Sequence, residues 1–247
     1  MMTRFRLLPI SLLAAAASVS AVASPASAED FSRAEIEQIV HDYLMAHPEV
    51  ILEAVQALQA RQEAEAAARA AANLAQLRDD IFGGPATMIA GNPDGDVTLV
   101  EFFDYRCGYC RRVAPDVLAL IQRDSGVRFA MKEFPILGEE SVYASRAAIA
   151  AAAQDMYWEM HLALLNFRGT YDEDSIRAIA ADLGMDPDRL VADMASSQVD
   201  AVINRNYELA QALGINGTPA FIVGDTIVPG AISLQALQQL IAEERQG

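Results

Sequence analysis

Lysine occurs once in this 247-residue chain, at Lys132, and cysteine only twice, at Cys107 and Cys110. With 18 Lys and Arg against 34 Asp and Glu, the formal net charge is −16. So acidic a chain is a poor partner for nucleic acid or anionic lipid. Two cysteines are too few for a disulfide-framework scaffold, which uses about four or more in a shorter chain. Beyond the first 28 residues no apolar run is long enough to span a bilayer, so no stable membrane insertion is expected. What the chain has in quantity is apolar surface, 53% of its residues, enough to bury a sizeable core without disulfides.

Residues 1 to 28 read separately. Arg4 and Arg6 precede an apolar stretch from Leu7 to Ala23, and Ala26-Ser27-Ala28 offers small residues before Glu29. This is the pattern of a cleaved secretory signal peptide. An uncleaved anchor is the alternative, but Pro9, Ser11, Ser18 and Ser20 interrupt the stretch. Export places the thiols where disulfides form and persist, and the expected location is the periplasm.

Residues 29 to 82 form a helical arm in this reading. Ser32 and Glu35 make a capping box for a first helix carrying Ile36, Ile39, Val40 and Tyr43, which stops near His47. Pro48 opens a second helix with Ile51, Val55 and Leu58 on one stripe. It continues through "ARQEAEAAARAAAN", which favours helix but has no large apolar residue to bury until Leu74, Leu77 and Ile81. A continuous helix to Phe82 would be about 50 Å long at 1.5 Å per residue. The expectation is an oligomerisation arm rather than helices folded back on their own domain.

"GGPATMIAGNPDGD" punctuates the passage to a second region, residues 83 to 247. There "VTLVEFFDY" and "VRFAMKEF" read as buried strands flanking a helix from about Cys107 to Arg123, a βαβ unit. Residues 139 to 213 read as helical throughout, with Asp172 or Asp174 and Asp186 as caps and Pro187 in a first turn. "PAFIVG" and "TIVPG" then make a hairpin hinged at Gly224-Asp225, followed by a last helix from Ser233 to Glu244.

The cysteine pair has four readings. Zinc wants four ligands, and only His41, His47 and His161 are available to join the thiols. A c-type haem wants His where Arg111 stands. An inert disulfide across so short a loop gains little entropy and strains the bond. The reactive reading accounts for the placement: a strand delivers the chain to a helix start, where free N–H groups and the helix dipole favour a thiolate at Cys107. Cys107 is then the exposed nucleophile and Cys110, one turn in, the shielded resolving thiol. Arg106, Arg111 and Arg112 are expected to favour the thiolate further. Pro115 should kink the helix.

Together these segments resemble the DsbA family of thioredoxin-like thiol-disulfide oxidoreductases, in its ScsC and Com1-like branch. The segments that carry the resemblance are "YLMAHPEVILEA", "VEFFDYRCGYC", "KEFPILGEES", "YWEMHLALL" and "GINGTPAFIVG", in that order. The resemblance implies an α/β thioredoxin-like fold with a helical insertion at about 139 to 213, preceded by the helical arm. It implies that Pro219 is cis and faces the cysteines, with Thr218 binding a substrate strand. It makes Glu101 the buried acid beneath the site, managing protons at Cys110, and Lys132 is its expected partner.

Gly108 and Tyr109, between the thiols, depart from the proline-histidine pair of the strongly oxidising members and resemble the pair of DsbC-type isomerases. The implied function is therefore a disulfide isomerase or reductase that needs no cofactor. The alternatives are a DsbA-like oxidase, or Cu(I) binding at Cys107 and Cys110 as in ScsC-type proteins. The implied partners are misoxidised or reduced exported proteins and a membrane redox protein. The implied assembly is a homotrimer, with a dimer as the alternative.

Overall fold

The computed structural model describes residues 31 to 84 and 87 to 246. The expected signal peptide lies outside the described residues. By compactness the chain divides into a unit ending at Gln56 and a unit beginning at Ala57.

In the first unit, α1 (Arg33–Ala46) begins at the expected capping box, with Ser32 Oγ accepting from Glu35 N and Glu35 Oε2 accepting from Ser32 N at 2.8 Å. It ends at His47, and α2 (Glu49–Gln76) follows. No residue of α1 is buried. Ile36, Ile39, Val40, Tyr43, Met45, Ile51 and Val55 all stand exposed, Met45 by 70%.

The second unit begins inside α2, short of the boundary expected at residue 82. Leu74 near the end of α2 and Ile81 in α3 (Arg78–Phe82) are 1% and 0% exposed. They pack with the sheet residues Val100, Phe102, Ala130 and Ile222. The last turns of the expected arm are thus core of the second unit. The long helix breaks at Leu77, between α2 and α3.

Among the described residues the sheet has five strands in the order β1-β3-β2-β4-β5. These are β1 (Met88–Gly91), β2 (Val97–Phe103), β3 (Val127–Glu133), β4 (Ala220–Val223) and β5 (Thr226–Pro229). Only β2 and β3 run parallel, joined by α4 (Gly108–Arg123) as the βαβ pattern requires. β1 was not expected: four residues in a glycine-rich segment carry too little pattern, and Gly91 leaves the strand at a φ of 72°.

Alternation sorts the strands into two faces. Leu99, Glu101 and Phe103 of β2 share one face with Phe129, Met131 and Glu133 of β3. Val100 and Phe102 share the other with Ala130 and Lys132. The first face is covered by α4, by the helical segment from α5 (Glu139–Ala151) through α6 (Tyr157–Asn166), α7 (Glu173–Asp182) and α8 (Pro187–Met194), and by α10 (Leu234–Glu244). Helix α9 (Ser197–Ala212) closes the segment and sends Leu209 and Ala210 to the second face. Asp172, Asp186 and Ser233 cap α7, α8 and α10 by accepting backbone N–H bonds. This is the thioredoxin-like architecture with a helical insertion. Among the described residues no helix is long and apolar enough to cross a membrane.

Candidate active site

The end of β2 delivers the chain to α4 through Asp104-Tyr105-Arg106, and Cys107 becomes the helix N-cap, its Sγ accepting from Cys110 N at 3.5 Å. Pro115 lies inside α4 without ending it. Both cysteines are free thiols. Cys107 is 6% exposed and Cys110 1%, so the expected exposed nucleophile is mostly covered. The cover is the Thr218-Pro219 loop, whose Thr218 carbonyl oxygen lies 3.2 Å from Cys107 Sγ, with the peptide bond between Thr218 and Pro219 cis. Residues 111 positions apart in sequence thus meet at the site.

The two sulfurs are driven apart electrostatically. Hydrogen bonding from the Cys110 thiol, then from Thr218 and from the backbone of Cys110 and Tyr109, pulls the Cys107 pKa down to about 5 against the cost of burial. The Thr218 carbonyl works the other way, since a carbonyl can only receive a thiol's hydrogen, but the donors outnumber it. The same shared proton, followed by burial and the nearby Glu101 charge, holds Cys110 far above the ordinary thiol range.

The three arginines have other partners. Arg111 donates to the Tyr105 carbonyl at 2.7 Å and to Tyr171 Oη at 2.6 Å, and Arg106 donates to the Leu137 carbonyl at 3.2 Å. Arg112 stacks over the Tyr109 ring at 4.8 Å. The largest influences on the thiolate are the local donors at the helix start and Thr218.

Glu101 sits on the first face of the sheet, 6% exposed, and lines a small cavity with Cys110, Phe103, Trp158 and His161. Burial first, then the Cys107 charge, carries its pKa to about 8. Lys132 is not its partner. It points to the second face, where Nζ donates to the Asp80 carbonyl at 2.7 Å and to Thr87 Oγ1.

Gly108 opens α4 with empty space where a side chain would be, and Tyr109 stands 58% exposed beside it. Two grooves include neighbours of the cysteines but neither thiol, one of about 320 Å³ bounded by Tyr109, Val113, Asp116 and Ile232. The other, of about 210 Å³, is bounded by Ile215, Thr218, Pro219 and Pro229. A larger groove of about 730 Å³ between Met88, Ile149 and Val199 contains neither cysteine.

Sequence reasoning missed Asp104. Its buried carboxylate accepts from Arg106 N at 2.7 Å, Ile136 N at 2.8 Å, Leu137 N at 3.0 Å and Ser141 Oγ at 2.8 Å. It pins the two loops that frame the helix start, and the only sequence signal was an acid at the end of an apolar strand. Among the described residues no group of three or more His, Cys, Asp and Glu lies together as a metal cluster would require. The two thiols are the soft donors at hand for Cu(I).

Residues 98–242 match the model of the DSBA-like thioredoxin domain, and residues 33–65 match that of the copper resistance protein ScsC N-terminal domain. A thioredoxin-like oxidoreductase from Silicibacter pomeroyi is similar, at 44% identity and a TM-score of 0.67, covering 69% of this chain and 98% of that one. Proteus mirabilis ScsC in a transitional conformation is similar at 29% identity and a TM-score of 0.64, covering 85% and 95%. A curated relative, Na(+)/H(+) antiporter NhaA 1 of Salinispora arenicola, is 27% identical over 161 residues, 64% of this chain. The match spans about 25% of that relative's own length.

Proposed function

The chain belongs to the DSBA-like thioredoxin domain family, and on that premise we propose that it is a periplasmic thiol-disulfide oxidoreductase working mainly as a disulfide isomerase or reductase on exported proteins. The observation that carries the chemistry is the split between the two thiols: Cys107 pulled down to about 5 under Thr218, and Cys110 held high behind it.

Cys107 thiolate attacks one sulfur of a substrate disulfide, and the other sulfur leaves as a thiolate. A second substrate thiolate can then displace Cys107, which rearranges the substrate with no net oxidation. Alternatively Cys110, once deprotonated, attacks Cys107 Sγ and expels the substrate as its thiolate, leaving a Cys107–Cys110 disulfide and a reduced substrate. A membrane redox protein then restores the dithiol. Thr218 and Pro219 hold the substrate strand against Cys107, and Glu101 manages the proton of Cys110.

The isomerase assignment rests on Gly108-Tyr109 and on the arm. The exposed row from Ile36 to Val55 is an assembly surface, and a homotrimer would present three sites around one misoxidised substrate, with a dimer as the alternative. The test is refolding of scrambled ribonuclease by the mature chain and by a truncation lacking residues up to Gln56. The truncated protein should become monomeric and lose most isomerase activity while still reducing a small disulfide. Equal isomerase activity in both forms refutes the role of the arm. A redox potential close to that of the strongly oxidising family members would transfer the assignment to an oxidase.

A further inference from the structure

Glu133 ends β3 on the same sheet face as Glu101 and is fully buried. Its Oε1 accepts from Tyr105 Oη at 2.9 Å and Tyr157 Oη at 2.8 Å, and its Oε2 accepts from Ser145 Oγ at 2.7 Å. Tyr105 Oη also lies 3.0 Å from His161 Nδ1. The imidazole, 4% exposed, is stacked between Trp158 and Tyr157. It forms a wall of the cavity it shares with Cys110 and Glu101, whose volume of about 10 Å³ leaves room for one water at most. Among the described residues no hydrogen bond engages Nε2.

The donor count fixes how this chain is wired. Tyr105 has one hydroxyl hydrogen. When Glu133 is ionised, that hydrogen goes to Oε1, so the Tyr105 oxygen must accept Nδ1–H and Nε2 carries a bare lone pair. When Glu133 is protonated and donates to Tyr105, Tyr105 turns its hydrogen to Nδ1 and the imidazole carries its own on Nε2. The two states differ by one proton taken in at Nε2 and stored on Glu133, and the ring is uncharged in both.

We propose that His161, Tyr105 and Glu133 form a proton relay serving the buried thiol Cys110, a role that rests on the thiol-disulfide reading and deepens it. In the step, the Cys110 S–H bond breaks and Nε2–H forms through the single water that the shared cavity can admit, the Nδ1 hydrogen passes to Tyr105, and the Tyr105 hydrogen passes to Glu133. Cys110 thiolate then attacks Cys107 Sγ in the mixed disulfide, and the substrate sulfur leaves with the bonding electron pair. The oxidation of the cysteine pair balances the reduction of the substrate disulfide.

The surroundings favour this route. Burial pushes His161 down to about 3, closing a path through imidazolium, and raises Glu133 to about 8, so that the store is filled below about pH 8 and the relay opens as pH rises through that value and frees the carboxylate. The groups facing Glu133 are Tyr105, Tyr157, Ser145 and the Asp104 charge, with Asn206 donating to its carbonyl at 3.0 Å. Those facing the cavity side are Glu101 and Cys110, with the Cys107 charge acting on Glu101.

Reduced full-chain protein mixed with dithiobis(nitrobenzoate) releases a first coloured thiolate when Cys107 attacks and a second when Cys110 resolves the mixed disulfide. Tyr105→Phe removes one atom from the relay, Glu133→Gln removes the proton store, and His161→Phe removes the acceptor while keeping the stack. Each should slow the second phase at pH 9 by at least about tenfold and remove its rise through about pH 8, leaving the first phase unchanged. Slowing of the second phase by less than about tenfold in the variants that fold, or equal slowing of both phases, overturns the relay. Absence of both phases in the unmodified protein would instead overturn the thiol-disulfide reading.

Discussion

Glu101→Gln should make the protein less sensitive to alkaline pH. In the folded chain burial carries this carboxyl from 4.5 to about 8. A native-state pKa raised above the unfolded one contributes stability that is fully present below about pH 4.5 and lost as pH rises through about 8. Each tenfold in proton affinity is about 1.4 kcal/mol, so ionising Glu101 in place costs the native state at most about 5 kcal/mol, fully felt near pH 9. Glutamine keeps the shape and cannot ionise. Urea unfolding of the oxidised protein, in which the thiols no longer titrate, measures the effect at pH 5, 7 and 9. Glu133 is carried to a similar value, while Lys132, lowered to about 7, and His161, lowered to about 3, offset part of the loss, so the variant should lose clearly less stability than the parent between pH 5 and 9. A variant with the full parental loss would show that Glu101 is ionised at little cost, and the assignment of a proton-holding acid beneath Cys110 would fall.

Three further outcomes follow from particular contacts. Removing residues up to Gln56 should leave the second unit folded, whereas removing residues up to Phe82 deletes Leu74 and Ile81, each worth about 2–5 kcal/mol as buried apolar side chains; comparative urea midpoints of the two truncations decide it. Lys132→Met strands the Asp80 carbonyl and Thr87 hydroxyl and should cost about 1–3 kcal/mol, yet leave the Cys107 titration, followed by thiolate absorbance, where it was. That titration should have its midpoint near pH 5 in the reduced protein, and Cys110→Ala should raise it by removing its first-ranking donor. A folded-state pKa lowered from 9.0 to about 5 makes the reduced form's added stability complete above pH 9 and lost as pH falls through 5.

Much of the catalytic unit was legible because its signals are local. The run "VTLVEFFDY", the i, i+3 cysteines and the caps at Asp172 or Asp174 and at Asp186 each declare a strand, a helix start or a boundary by chemistry within a few residues. The meeting of Thr218 with Cys107 came from resemblance, since no local rule joins positions so far apart. The illegible parts are those decided by burial. The Arg111 guanidinium turns to Tyr105 and Tyr171 because their oxygens are fixed by packing, and Leu74 leaves the exposed rod because a sheet face stands open to it.

The separation of Lys132 from Glu101 shows what a more careful reading of the strands would have yielded. β2 and β3 are parallel and in register, Glu101 against Met131 and Phe102 against Lys132. Alternation then obliges Glu101 and Glu133 to share a face and Lys132 to take the other, whatever the side chains prefer. Lys132 therefore cannot neutralise Glu101, and two carboxyls with raised affinity for protons stand on the covered face that also holds Cys110. A slip of one residue in this pairing would bring the lysine beneath the cysteines beside Glu101, hold that acid ionised with little affinity for a proton, and carry Glu133 to the other face. The single-residue step from Lys132 to Glu133 thus decides whether the floor of the site stores protons or fixed charge.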